Sequence, residues 1–358
     1  MNSTQNQTFF MELDFWFNIL GTSLTLDIFF ILLVPLSLVA NGFNLIALYV
    51  LEKESFNKSL FYSFMRVYVL NGIGLSFLIM TTFTYITKRI FDFTNSYPAA
   101  FYGCYIHVIL TSSFYFNGSL LEICILIERV LYFLPVRYHQ RFKSIGIYKL
   151  CVVFLFLSIL VSTPFFFLAN PDFIDVPLSE TVIKRLYFTN VTPFSATLVG
   201  EILTLTVYVI RDILTFIIKI ALNLYSIILV RKYFQNLKKE KLDFAQKISS
   251  MTPENNSGQN ANNQSGIISK ADTNQTYTAI LMCIISLLEH FFFMFSYFMY
   301  FFKRISLANI TYFLAFVAMS LKNIANFFLL YKFNHLFRSQ IKRNPSLAHS
   351  KVETSVNK

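Results

Sequence analysis

Seven apolar segments, each long enough to cross a lipid bilayer, constrain this chain more than any other feature. They fall at roughly 27–51, 60–86, 101–127, 148–169, 203–230, 278–302 and 309–331. In hydrocarbon no water satisfies the backbone, so a spanning segment must be a helix or part of a closed barrel. Barrel strands are about ten residues long and alternate in polarity, whereas these windows are longer and continuously apolar. The expected fold is an all-α membrane protein, a seven-transmembrane helix bundle. Only 14% of the residues are charged and 55% are hydrophobic, against about 25% charged in a soluble domain. The charges that exist are concentrated in the loops.

Loop charge orients the bundle. With the N-terminus outside, the inner pieces are 52–66, 128–149, 231–276 and 332–358, with net formal charges of +1, +4, +3 and +5. The remainder nets −2 against +11 for the whole chain. An excess of Lys and Arg marks the cytoplasmic side. Residues 1–24 are therefore expected to be extracellular, 25–345 to form the membrane domain, and 346–358 to be a cytoplasmic tail. A multi-pass protein of the plasma membrane is expected, with its basic face beside anionic lipid and no nucleic-acid partner. The first 24 residues lack a charged start followed by an apolar core, so no cleavable signal peptide is expected. Glycosylation sequons at Asn2, Asn6 and Asn190 lie on the external side, with another at Asn309 near the membrane. Those at Asn57, Asn255, Asn263 and Asn274 fall inside and should be silent. Residues 248–276 are rich in Asn, Ser and Gln, so the third inner loop, 231–276, is expected to be largely disordered.

Cys104 and Arg129 stand 25 residues apart, and the segment between them ends in Glu128-Arg129-Val130. At 1.5 Å per residue the interval is about 37 Å, enough to cross a core of about 30 Å. A cysteine thus sits at one face and an acid–arginine pair at the other. The seventh segment reads Asn326-Phe327-Phe328-Leu329-Leu330-Tyr331 and runs into Lys332-Phe333-Asn334-His335-Leu336-Phe337-Arg338. Phe333, Leu336, Phe337 and Ile341, among Lys332, Arg338, Lys342 and Arg343, suit a short amphipathic eighth helix at the inner interface.

These features resemble the rhodopsin-like (class A) G-protein-coupled receptors over about residues 25–345. The richness in Phe, Asn and Ile is similar to divergent invertebrate peptide or chemosensory receptors of the nematode serpentine type. The resemblance implies that Glu128 holds Arg129 in the resting state and that activation frees the arginine toward a heterotrimeric G-protein. It gives switch roles to Tyr225, Asn326 and Tyr331, and sets Asn44 and Asn71 at the polar positions of the first two helices. There are departures. Val130 replaces the usual tyrosine, Pro135 comes one residue early, Phe327 stands at the motif's proline, and Tyr331 comes one residue late. Asn71 replaces the sodium-binding aspartate, and an amide has no net charge to hold a cation. The 170–202 loop contains no cysteine to pair with Cys104, so that residue reads as a free thiol beneath a looser external cap.

Ionisable residues inside a span are expensive and face the bundle interior. Glu122, Lys219, Glu289 and Lys322 are of this kind. Glu289 and Lys322 fall on adjacent faces of the sixth and seventh helices and could pair, while Glu122 would point toward Asn71 and Asn326. The ligand pocket implied by the resemblance lies in the outer half of the bundle, lined by His107, Thr111, Ser112, Tyr115, His290, Phe293 and Tyr297. Thr111 stands where amine receptors carry an aspartate, which argues against a biogenic amine.

No nucleotide loop, metal-spaced cluster or nucleophile with a base is evident, so no cofactor, metal site or enzymatic activity is expected. The partners implied are an extracellular ligand, a heterotrimeric G-protein and membrane lipid. A seven-helix channel or transporter is the alternative, with the intramembrane charges as a conduction path. Against it stands the absence of the internal repeats typical of transporters.

Overall fold

Apolar runs with internally satisfied backbones fold into seven long helices in the computed structural model, which describes residues 23–53, 56, 59–81, 96–177, 183–250, 259–302 and 304–343. Helix α1 (Ser23–Leu51) contains Pro35, and α2 is Leu60–Met80. Helix α3 is Tyr97–Tyr132 and includes a π-helical turn at Tyr102–His107. A short helix, Val136–Ser144, leads through Gly146 into α4, Ile147–Ser162. Gly146 adopts φ 81°, a left-handed conformation that costs glycine little. Helix α5 is built of Leu198–Tyr208, a π-helical turn at Val209–Leu214, and Thr215–Ser250. Helices α6 (Gln259–Phe301), α7 (Ile305–Phe333) and α8 (His335–Arg343) complete the bundle. All seven long helices are long and apolar enough to cross a membrane. Asn2, Asn6, Asn57, Asn255, the tail 346–358 and the end of the second window at 82–86 lie outside the described residues.

The helices close into a ring. Helices α1 and α2, α2 and α3, α5 and α6, α6 and α7, and α7 and α1 pack as neighbours, while α3 also touches α4 and α5. Helix α3 runs through the middle and is the most buried; α4 lies at the periphery. Val152, Phe156 and Leu160 of α4 are 67%, 69% and 57% exposed. Such an apolar face would be a liability in water and is the natural surface against lipid.

Two apolar clusters fill the ring. One joins Leu75, Tyr115, Phe293, Phe316 and Met319; the other joins Phe61, Met65, Leu121, Met282, Leu330 and Phe337. In α6 and α7 the buried Glu289 and Lys322 fall between them in register, and in α3 Glu122 follows Leu121 of the second cluster. Phe337 belongs to the second cluster and anchors α8, whose Leu336 faces outward. Asn334 caps this helix, its Oδ1 accepting from the Phe337 N–H at 3.1 Å.

One expectation is extended and one is corrected. The cap over one end is a β-hairpin: β1 (Ala169–Pro177) pairs antiparallel with β2 (Ile183–Val191), from Ala169–Val191 to Pro177–Ile183. Arg185 forks onto Asp175 at 2.8 and 3.0 Å and covers the Phe173 ring, while Tyr187 meets Tyr97 of α3. Within 231–276, α5 continues to Ser250 and α6 begins at Gln259. Helical hydrogen bonds are local, so a polar sequence can extend a helix whose other end is anchored in packing.

Candidate functional site

Beneath the hairpin lies a cavity of about 260 Å³. Six of the seven residues assigned from sequence line it: His107, Thr111, Ser112, Tyr115, Phe293 and Tyr297. His290 does not. It sits one helical turn deeper, under the Tyr115 ring at a centroid distance of 5.1 Å. Its Nδ1 donates to the Ser286 carbonyl at 3.0 Å, which leaves Nε2 to accept from the Ser119 hydroxyl at 3.2 Å. His107 is held by the Leu78 carbonyl, 2.9 Å from its Nε2.

Arg211 of α5 also lines the cavity, and sequence reasoning missed it. The π-helical turn brings Arg211 and Asp212, adjacent in the chain, into the interior together, 4% and 1% exposed. A π turn inserts a residue and rotates the face that follows, and such turns frequently mark functional sites. The guanidinium reaches Asp212 Oδ2 at 2.8 Å and Ser112 Oγ at 2.8 Å, and donates to the Tyr297 hydroxyl. Tyr115, Phe165, Tyr208 and Tyr297 surround it with ring centroids 5.5–5.7 Å away, within cation–π range. The signal available was an opposite-charge pair inside an apolar window.

Below this layer four buried charges alternate in sign. Lys219 Nζ lies 2.5 Å from Glu122, and Lys322 Nζ lies 3.4 Å from Glu122 and 2.5 Å from Glu289. Lys219 also donates to Ser286 Oγ at 2.9 Å. The Tyr68 hydroxyl donates to Glu122 at 2.6 Å and accepts from Asn326 at 3.1 Å. Glu122 thus meets Asn326 through Tyr68, and it does not meet Asn71. Asn71 lies higher, donating to the Phe114 carbonyl at 2.9 Å and accepting from Asn117 at 2.8 Å. Asn44 is buried against Gly72, where an added Cβ would lie 3.1 Å from its amide nitrogen.

At the end opposite the hairpin, Glu128 grips Arg129 through both guanidinium edge nitrogens, and His139 approaches Glu128 at 3.4 Å. Arg129 Nη1 donates to Gln275 Oε1 of α6 at 2.8 Å. Gln275 donates to the Tyr62 hydroxyl at 2.9 Å, which also accepts from Asn334 at 2.6 Å. One polar chain therefore ties α3, α6, α2 and the α7–α8 junction together. Phe61 and Tyr132 flank the guanidinium with ring centroids at 4.7 and 5.5 Å. Tyr225 takes no part in these contacts; it is 44% exposed on the outer face of α5. Tyr331 packs at the edge of the nearby apolar cluster. Asn190 is exposed on β2, with its amide donating to Asp172 at 2.8 Å.

No protein-family model matches the sequence, and no curated protein matches it. Among solved structures, squid rhodopsin is similar with a TM-score of 0.63 at 16% identity, over 90% of this chain and 85% of that one. The chain has the seven-helix fold seen in rhodopsin.

Proposed function

We propose that this protein is a receptor of the plasma membrane that binds an extracellular ligand, a peptide or a chemosensory small molecule, and activates a heterotrimeric G-protein. The observation that carries the reading is the polar chain through Arg129. It fastens α3 to α6 at one end of the bundle, while a cavity opens between the same helices at the other. Ligand in the cavity would change the relative stability of two helix arrangements and so the strength of that fastening. Loop charge supports a hairpin end that faces outward, and the exposed Asn190 sequon lies on that end. The alternating charges disfavour a conduction path, because each is occupied by its neighbours in the interior.

The test is nucleotide exchange on a panel of heterotrimeric G-proteins, using membranes that contain the wild-type chain or Arg129→Ala at matched surface expression. Exchange that depends on Arg129 supports the reading. Exchange that is absent from every G-protein, or identical in the two proteins, refutes it.

A further inference from the structure

Among the described residues that line the cavity, the one charged group is cationic: Arg211 lines it and Asp212 does not. A guanidinium presents two edges for bidentate pairing, a side edge through Nε and one terminal nitrogen and an end edge through both terminal nitrogens. Asp212 occupies the side edge, with its oxygens 3.2 and 3.3 Å from Nε and 2.8 Å from Nη2. At the end edge, Nη1 donates to Ser112 Oγ at 2.8 Å and Nη2 donates to the Tyr297 hydroxyl. Both of those hydroxyls line the cavity. The acid thus fixes the arginine's orientation from behind, and two neutral acceptors stand at the edge turned to the cavity.

A carboxylate is a stronger acceptor than a hydroxyl for a guanidinium. A hydroxyl it displaces can rotate and donate to the newcomer. Ser112 and Tyr297 would therefore supply the further donors that a second carboxylate near Asp212 needs to remain ionised. His107 and Thr111 add polar groups to a lining that is otherwise mainly aromatic and apolar, in which the rings of Tyr115, Phe293 and Phe316 pack on one another. The volume of about 260 Å³ lies just under the range of about 300–1,000 Å³ for drug-sized ligands.

We propose that the cavity binds a small aromatic carboxylic acid, its carboxylate on the end edge of Arg211 and its ring among the aromatic walls. The proposal rests on the cavity being the ligand site of the receptor reading, and it excludes an ammonium ligand, which would meet Arg211. It also favours the small molecule over the peptide.

The test uses the purified full chain in lipid nanodiscs, with benzoate, phenylacetate and indole-3-acetate as probes. Their primary amides and phenethylamine serve as controls, and the readout is concentration-dependent thermal stabilisation. At least one acid should stabilise the protein, its amide should be about tenfold weaker or worse, and the amine should have no effect. Arg211→Gln with Asp212→Asn removes both charges and leaves none uncompensated; it should lose the preference for acid over amide. Should that variant fail to fold, Arg211→Lys keeps the charge beside Asp212 but has no second edge to offer, and should weaken the acid about tenfold. The proposal is overturned if no acid stabilises the wild type, if amides match acids, or if the folded variants keep the preference. The measurement needs no G-protein, so a failure of coupling registers separately, in the exchange assay.

Discussion

Lys322 stands between two acids, with its Nζ 2.5 Å from Glu289 of α6 and 3.4 Å from Glu122 of α3. Glu122 is in turn shared with Lys219 of α5, so removing one charge unbalances a chain of four. Glu289→Ala or Lys322→Ala leaves a buried charge short of a partner, at a cost of about 3–5 kcal/mol. Each should lose surface expression and thermal stability. Exchanging the two is no remedy here, because Glu at 322 would lie beside Glu122. The neutral pair Glu289→Gln with Lys322→Gln leaves Glu122 matched to Lys219 and should express better than either single mutant. Surface labelling and melting of the four variants check this, and an exchange variant as well expressed as the neutral pair would contradict the geometry.

The parts of the bundle legible in the sequence are those set by local periodicity. Length and hydropathy mark seven spans, and helical register brings Glu289 toward Lys322 and six pocket residues onto one cavity. Two π-helical turns escaped, because composition does not announce an inserted residue. The turn at Val209–Leu214 carries Arg211 into the interior, and Tyr225 farther along the same helix lies on the outer face. The hairpin escaped for a different reason. Its stabilising pairs, Asp175–Arg185 and Asp172–Asn190, join residues far apart in sequence, and neither strand alternates cleanly.

Asn334 serves two helices at once, capping α8 through Oδ1 and holding Tyr62 of α2 through Nδ2. Asn334→Ala should cost about 1 kcal/mol from the cap alone and speed hydrogen exchange across His335–Arg343. Asn334→Asp keeps the capping oxygen and should leave that protection near the wild-type level. Equal exchange in the two variants would remove the capping role.

The hairpin should weaken in acid. The hydrogen bond from Arg185 holds the Asp175 carboxyl below its ordinary value of 3.8, and Arg185 is raised by the same partner and stays charged. A depressed carboxyl pKa contributes stability above the unfolded value and loses it as pH falls through the folded one. The loss therefore begins below about pH 4, and exposure keeps it small. Amide protection of β1 and β2, corrected for intrinsic rates, should fall between neutral pH and about pH 3 more in wild type than in Asp175→Asn. An equal fall in both would assign the sensitivity to Asp172, whose carboxyl the Asn190 amide also holds low.

The link from Arg129 to Gln275, 2.8 Å long, is a direct side-chain bond between α3 and α6 at the end opposite the hairpin. Hydrogen bonds to charged groups contribute about 1.5–3 kcal/mol. Gln275→Ala should thus move a closed–open equilibrium toward open by about tenfold or more and raise basal nucleotide exchange. Gln275→Glu replaces the bond with an ion pair to the same guanidinium and should lower basal exchange below wild type. Glu128→Gln weakens the other restraint on Arg129 and should also raise it. The opposite responses at position 275 are the discriminating result, because damage to folding would lower exchange in both variants. If Gln275→Ala and Gln275→Glu change basal exchange in the same direction at equal surface expression, the link is structural and does not hold the bundle closed.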